Sequence, residues 1–123
     1  MARPGQPSLF SRRLRQARER AALSQYELGL RAGLDASVAG PRINQYENGV
    51  HEPRQQTAQQ IADALGIPPA FFYTGDDDLA RLLLAWPGLS KEKRRKVADL
   101  VDGKSKAVTP AEKKREGRTR KRY

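Results

Sequence analysis

Apolar residues recur at helical spacing along most of the chain, and this pattern predicts its secondary structure. Those of the first predicted helix lie at intervals of four, three and four residues: Phe10, Leu14, Ala17 and Ala21. A later helix follows the i, i+3, i+4, i+7 pattern: Ala58, Ile61, Ala62 and Leu65. Ser8 can cap the first of these helices, and Gly66 can end the later one. No segment alternates with a period of two over enough length for a strand, so the sequence predicts an all-α fold.

Two shorter helices are predicted between them. Ser24 and Glu27 form a capping box for the second helix, and Gly33 ends it. Pro41 suits the first position of the third helix, and Gly49 suits its end. At about 100° per residue, the inward side of this third helix holds Ile43, Tyr46 and Glu47. The opposite side holds Pro41, Gln45 and Asn48, with Arg42 and Asn44 on the flanks.

Three further helices are predicted after Gly66. Pro68 and Pro69 open a short one that contains three aromatic residues: Phe71, Phe72 and Tyr73. The aspartates at 76–78 favour the N-terminus of the next helix through its dipole. We interpret its apolar stripe as core or as a dimer interface: Leu79, Leu82, Leu83 and Trp86. Ser90 caps the last helix, whose apolar face holds Val97, Leu100 and Val101.

The composition excludes several kinds of chemistry. The 123 residues contain no cysteine and one histidine, His51, which excludes disulfides, thiolate zinc sites, cysteine nucleophiles and histidine-rich metal sites. No nucleophile–base pair or phosphate-cradling glycine loop stands in the sequence. The aspartates at 76–78 fit helix capping better than a metal site, because no ligand loop with a bidentate glutamate follows. We therefore expect that the protein is not an enzyme and that it binds neither a metal ion nor a cofactor.

The positive charge is concentrated at the end of the chain. Of the net charge of +10, residues 104–123 carry +7 and have almost nothing to bury. This predicts a disordered basic tail at 103–123, either a solubilising overhang or a nonspecific DNA-binding arm. The charge favours nucleic acid as the partner. Since the longest apolar run is too short for a bilayer and no signal-peptide core is present, we expect no membrane partner and a cytoplasmic, nucleoid-associated location.

Two short helices joined by a tight turn, the second lined with amides and arginine, suggest a helix-turn-helix. The relevant motifs occur in this order: Leu14-Arg15-Gln16-Ala17-Arg18, Leu23-Ser24-Gln25, Glu27-Leu28, Ala32-Gly33, Ile43-Asn44-Gln45-Tyr46-Glu47-Asn48-Gly49, Pro53 and Ile61-Ala62-Asp63-Ala64-Leu65-Gly66-Ile67. Together they resemble the Cro and phage-repressor-like (Xre-type) helix-turn-helix domain. The resemblance covers residues 9–73 and implies a five-helix, lambda-repressor-like domain, which we place at 8–75. Pro4, Gly5 and Pro7 predict a flexible arm at 1–7. A helical extension at 76–102 would complete the core or support self-association.

The resemblance also implies site residues, with the third helix in the major groove of DNA. Gln25 matches a phosphate-contacting position, Gln45 a base-reading one and Asn48 one near the DNA backbone, while Arg18 and Glu47 match a structural ion pair. The complete set of base-reading candidates is Arg42, Asn44 and Gln45. The complete set of phosphate-binding candidates is Ser24, Gln25, Asn48 and Arg54.

One segment departs from the family pattern. The stretch from 33 to 43 is longer than is usual, and Gly40 and Pro41 stand where the family often has polar base-reading side chains. We expect an enlarged turn there, in which Ser37 or Asp35 could supply the missing contacts.

The expected function is that of a sequence-specific DNA-binding transcription regulator. We predict a repressor that binds a two-fold symmetric operator in double-stranded DNA as a homodimer. The alternative is an antitoxin or adaptor that uses the same fold to bind a protein partner. A toxin-binding role predicts that the helices within 79–102 expose a large apolar face.

Overall fold

The computed structural model describes residues 6–104, and this part of the chain holds six α-helices and no strand. They are α1 (Leu9–Arg20), α2 (Gln25–Arg31), α3 (Ala39–Glu47), α4 (Gln55–Leu65), α5 (Asp77–Ala85) and α6 (Lys91–Val101). Two 3₁₀ helices stand at Pro69–Tyr73 and Trp86–Gly88. The prediction of an all-α fold is confirmed. The predicted basic tail lies outside the described residues from position 105 onward.

Serine and aspartate side chains cap the N-termini of four of these helices, as the sequence predicts: Ser8, Ser24, Asp76 and Ser90. Ser8 accepts from the backbone N–H of Ser11, and Ser90 from that of Lys93. The Ser24–Glu27 capping box is complete: the Glu27 N–H donates to Ser24 Oγ at 3.0 Å, and the Ser24 N–H donates to Glu27 Oε1 at 2.8 Å. These local bonds satisfy N–H groups that the helices leave unpaired.

One hydrophobic core joins α1–α4 to the 3₁₀ helix at Pro69–Tyr73. Its fully buried large side chains include Leu14, Leu28, Ile43, Ile61, Phe71 and Phe72. The predicted inward positions are buried on α1 and α4, except for the last position of each helix. Leu65 is half-buried, and Ala21 is exposed. Ala21 fails because α1 ends at Arg20, and the chain reverses at Ala22 with a φ of 58°.

The helix α3 begins two residues earlier than predicted. Pro41 occupies its third position, and the first intrahelical bond runs from the Arg42 N–H to the Val38 carbonyl at 2.8 Å. A proline is tolerated there because the first N–H groups of a helix have no partner within it. The long stretch after Gly33 therefore becomes a turn followed by the start of α3.

Arg13 departs from the amphipathic pattern of α1. The amphipathic pattern puts it on the polar face of α1, suited to solvent or phosphate, but its side chain is only 7% exposed. It donates from Nε to the Thr74 carbonyl at 2.9 Å and from Nη2 to Asp77 Oδ1 at 3.0 Å, and its guanidinium lies 5.4 Å from the centre of the Phe71 ring. Phe10, Arg13, Leu14 and Ala17 form an i, i+3, i+4, i+7 set, which was the available signal.

The chain divides into two compact units, the first ending at Pro87 and the second beginning at Gly88. In the first unit, α5 packs on the Pro69–Tyr73 helix, and its buried residue is Ala80. Leu79 and Leu82 of the predicted stripe are exposed, whereas Leu83 is half-buried against the core. Leu79 and Leu82 are therefore not part of the core, and the dimer interface remains as the interpretation for them. In the second unit, α6 has no buried residue.

Candidate nucleic-acid interface

The helices α2 and α3 pack so closely that only glycine fits at one point of contact. A Cβ atom on Gly29 would lie 2.6 Å from the carbonyl oxygen of Ala39. Backbone cannot yield at this distance as a flexible side chain could, so a larger residue would push the helices apart. Gly29 therefore fixes the position of the start of α3 relative to α2.

The two sides of α3 differ as the spacing predicts. Ile43, Tyr46 and Glu47 are buried, and they attach the helix to the domain. Asn44 is exposed, while Arg42, Gln45 and Asn48 are half-buried. The carbonyl of Tyr46 also accepts from the buried Ser11 hydroxyl at 2.8 Å, which ties α1 to the end of α3. The outer side of α3, formed by Arg42, Asn44, Gln45 and Asn48, carries amide and guanidinium groups that can form hydrogen bonds with DNA.

Glu47 is a fully buried carboxylate at the centre of a charged cluster. Arg18 donates to it from Nε at 2.6 Å and from Nη2 at 3.1 Å, and also donates to the Leu23 carbonyl at 2.8 Å. Arg15 adds a bond of 3.3 Å, and Gln25 Nε2 one of 3.1 Å. The hydrogen bond with Glu47 raises the pKa of Arg18, against the opposing effect of burial. The resemblance implies the Arg18–Glu47 pair, whereas no pattern in the sequence indicates the contact with Arg15.

The amide of Gln25 links α2 to the outer side of α3. Besides its bond to Glu47, Gln25 Nε2 donates to Asn44 Oδ1 at 3.1 Å. Asn48 Nδ2 donates to the same oxygen at 3.1 Å. The resemblance implies a phosphate contact for Gln25, but both N–H groups of its side chain are used here within the protein. The Ser24 hydroxyl accepts from Glu27 and can still donate its own proton.

A polar cleft of about 700 Å³ opens beside α3. Its lining residues come from α3, the following loop and the start of α4: Arg42, Gln45, Tyr46, His51, Glu52, Pro53, Arg54 and Thr57. Arg54 is exposed and precedes α4 as its N-cap residue. The cleft thus brings the base-reading candidates Arg42 and Gln45 together with the phosphate-binding candidate Arg54.

The turn before α3 is closed by its own side chains. Asp35 Oδ2 accepts from both the backbone N–H and the hydroxyl of Ser37. The hydroxyl bond holds the pKa of Asp35 below its usual range, and the N–H bond adds to the effect. Both donors of Ser37 are therefore used inside the turn, although the sequence suggested them for DNA. Gly40 packs near Tyr26 of α2, where a Cβ atom would make ordinary contact at 3.7 Å.

Comparisons with known proteins agree with this arrangement. The helix-turn-helix family (HTH_3) matches residues 14–72. A solved structure described as "Crystal structure of transcriptional regulator BswR" is 36% identical, with a TM-score of 0.70. The match covers 76% of this chain and 92% of that one. Comparison with curated protein sequences gives no match.

The chain therefore belongs to the helix-turn-helix family, a class of DNA-binding proteins in which the second helix of the motif enters the major groove. In this chain the second helix of the motif is α3. Within residues 6–104 no group of histidines and carboxylates could hold a metal ion. The same residues include no helix long and apolar enough to span a membrane.

Proposed function

We propose that this protein is a sequence-specific transcription regulator that reads DNA with α3. The outer side of α3 carries this proposal, because it presents Arg42, Asn44 and Gln45. Ile43 and Glu47 are buried on the opposite side and attach the helix to the domain. An α-helix fits the major groove, where each base pair shows a distinct pattern of donors and acceptors. The similarity to a chain described as a transcriptional regulator supports the same class.

Each polar residue takes a role from its position. Arg42 prefers guanine and Gln45 prefers adenine, because their side chains match the edges of those bases. The phosphates are held by the hydroxyl of Ser24, the remaining donor of Asn48 and the guanidinium of Arg54. The phosphate contact implied for Gln25 falls to its backbone N–H, because its side-chain donors are used within the protein.

The active form is a homodimer on a two-fold symmetric operator. One α3 reaches only a few base pairs, whereas two copies read half-sites about 34 Å apart. Leu79 and Leu82 of α5 are 45% and 47% exposed and offer an apolar surface for self-association. A dimer of this kind represses by occupying promoter DNA, which excludes polymerase sterically and places the protein on the nucleoid.

Selection of bound sites from a random DNA pool tests the proposal directly. The wild-type protein should enrich an inverted repeat, and Gln45→Ala should lose the preference at one base pair of each half-site by about 1–3 kcal/mol. Gln60→Ala makes the same chemical change at an exposed position of α4 and should leave the consensus intact. Enrichment of no sequence by the wild type would contradict the proposal.

A second function, as an antitoxin or adaptor that binds a protein partner, is favoured by α6. Its adjacent Leu100 and Val101 are 66% and 80% exposed, and apolar side chains exposed side by side can mark a protein–protein contact. Leu100→Asp with Val101→Asp should then abolish partner capture and leave selection of DNA sites unchanged. If the double variant instead loses DNA binding together with dimerisation, α6 belongs to the dimer.

The basic residues of 104–123 add contacts with phosphates that do not depend on sequence. Because binding releases counterions, affinity falls as the salt concentration rises. The plot of log affinity against log salt concentration has a slope of about −0.9 per phosphate neutralised. Removal of 104–123 should flatten that dependence and keep the consensus. An unchanged slope would make the segment an inert overhang.

A further inference from the structure

The orientation of the Gln25 amide is set by a buried charge. The Glu47 carboxylate can only accept hydrogen bonds, and the Gln25 group that faces it at 3.1 Å is therefore Nε2 rather than Oε1. The same nitrogen reaches Asn44 at 3.1 Å. The two protons of the Gln25 amide are thus divided between Glu47 and Asn44.

This orientation determines which side of Asn44 faces outward. Asn44 Oδ1 accepts from Gln25 Nε2 and from Asn48 Nδ2, so both of its acceptor positions are used. Asn44 Nδ2 has no hydrogen-bond partner among the described residues, and Asn44 is exposed. Asn44 therefore presents two N–H donors and no acceptor.

Asn48 cannot fix this polarity by itself. Its amide could rotate by half a turn and accept from Asn44 instead of donating to it, with nearly the same geometry. Only Gln25 is anchored to a group that cannot donate. Glu47 thus fixes the orientation of the Gln25 amide, and Gln25, which donates to both groups, fixes that of Asn44.

We infer that Gln25 is a positioning residue that restricts Asn44 to hydrogen-bond acceptors on DNA, and so to guanine rather than adenine. The inference rests on the proposed docking of α3 in the major groove. An asparagine recognises adenine by donating to N7 and accepting from the N6 amino group, and the second bond requires a free Oδ1. Guanine presents two acceptors, N7 and O6, to which Nδ2 can donate.

Selection of bound sites from a random DNA pool tests this with four variants of the full chain. Asn44→Ala locates the base pair, because the preference there should disappear. At that position the wild type should favour guanine over adenine by about tenfold or more, the size of a specific base contact. Gln25→Met removes both donors at similar length and should reduce this ratio to below about threefold, since the Asn44 amide can then rotate. Gln25→Lys restores donors to Glu47 and Asn44 and should restore the guanine preference.

Asn44→Asp provides a test at an exposed position where folding is not at risk. Its carboxylate offers only acceptors, so the preferred base should change from guanine to one with an amino donor, such as cytosine. Continued selection of guanine by this variant would overturn the inference.

The remaining outcomes separate the inference from the proposed function. A uniform loss of affinity in Gln25→Met with an unchanged consensus would make the Gln25 side chain a phosphate contact and overturn the inference alone. An unchanged consensus in Asn44→Ala would do the same, because Asn44 would then read no base. If the wild type enriches no sequence, both fail. Circular dichroism at the selection temperature verifies that each variant is folded.

Discussion

Two arginines of α1 hold different parts of the domain, and their carboxylate partners differ in burial. Arg18 bonds to Glu47, whose side chain is 0% exposed, whereas Arg13 bonds to Asp77, whose side chain is 93% exposed. A buried carboxylate that loses its partner stays desolvated, but an exposed one is solvated by water. The stabilisation that each arginine provides therefore depends less on the length of the bond than on what its partner would otherwise contact.

We expect the two arginines to affect different properties of the domain. Arg18 supports Glu47 and through it the side chains on the outer side of α3, whereas Arg13 fastens the segment at Thr74 and Asp77 to α1. Loss of Arg18 should disturb both stability and DNA reading. Loss of Arg13 should disturb stability alone.

The largest effect is expected for Arg18→Met. The variant leaves the buried Glu47 carboxylate with only Arg15 and Gln25 as donors, and the free energy of unfolding should fall by about 3 kcal/mol. Urea denaturation measures the change, and Arg20→Met is the matched control because Arg20 is exposed on the same helix. Melting of Arg18→Met at the wild-type temperature would refute the structural role of the pair.

A smaller loss is expected for Arg13→Met. This variant keeps the packing of a long side chain but leaves the Thr74 carbonyl without its donor, and the cost should be about 2 kcal/mol. Arg12→Met, an exposed neighbour, serves as the control. The selected DNA consensus should not change, and a changed consensus would remove the distinction between the two arginines.

Asp77→Asn isolates the exposed partner. Because surface ion pairs contribute little, the free energy of unfolding should change by about 0.5 kcal/mol or less. The measurement is again urea denaturation, alone and combined with Arg13→Met in a double-mutant cycle. A coupling as large as the whole loss in Arg13→Met would mean that exposure of the partner does not govern the stabilisation.

The smallest effect concerns Glu27, an exposed carboxylate that is stabilised without a buried partner. The hydrogen bond from the Ser24 backbone N–H lowers the pKa of Glu27 from 4.5. A lowered folded-state pKa stabilises the fold above the unfolded value, and this stabilisation is lost as the pH falls through the folded value. Glu27→Gln keeps a capping residue without this titration, so its stability should depend less on pH below 4.5. Parallel acid unfolding curves for both proteins would contradict the assignment.

The sequence determined the features that depend on residues close together along the chain. The caps at Ser8, Ser24 and Ser90 and the end of α4 at Gly66 follow from bonds within one helical turn. The inward side of α3 follows from its period, because side chains three and four residues apart share a face. The resemblance of the ordered motifs then added the class of protein, which family membership confirms.

Only the tertiary structure decided which polar groups are already used. No residue near Arg13 in the sequence predicts its hydrogen bond to the Thr74 carbonyl, 61 residues away. No residue near Gln25 predicts its hydrogen bond to Asn44, 19 residues away. The same holds for the burial of Ala80 in place of Leu79, which depends on where the Pro69–Tyr73 helix packs. Local patterns fix which groups a helix presents on each face. The hydrogen bonds left for DNA depend on partners that only the packing of distant segments brings within reach.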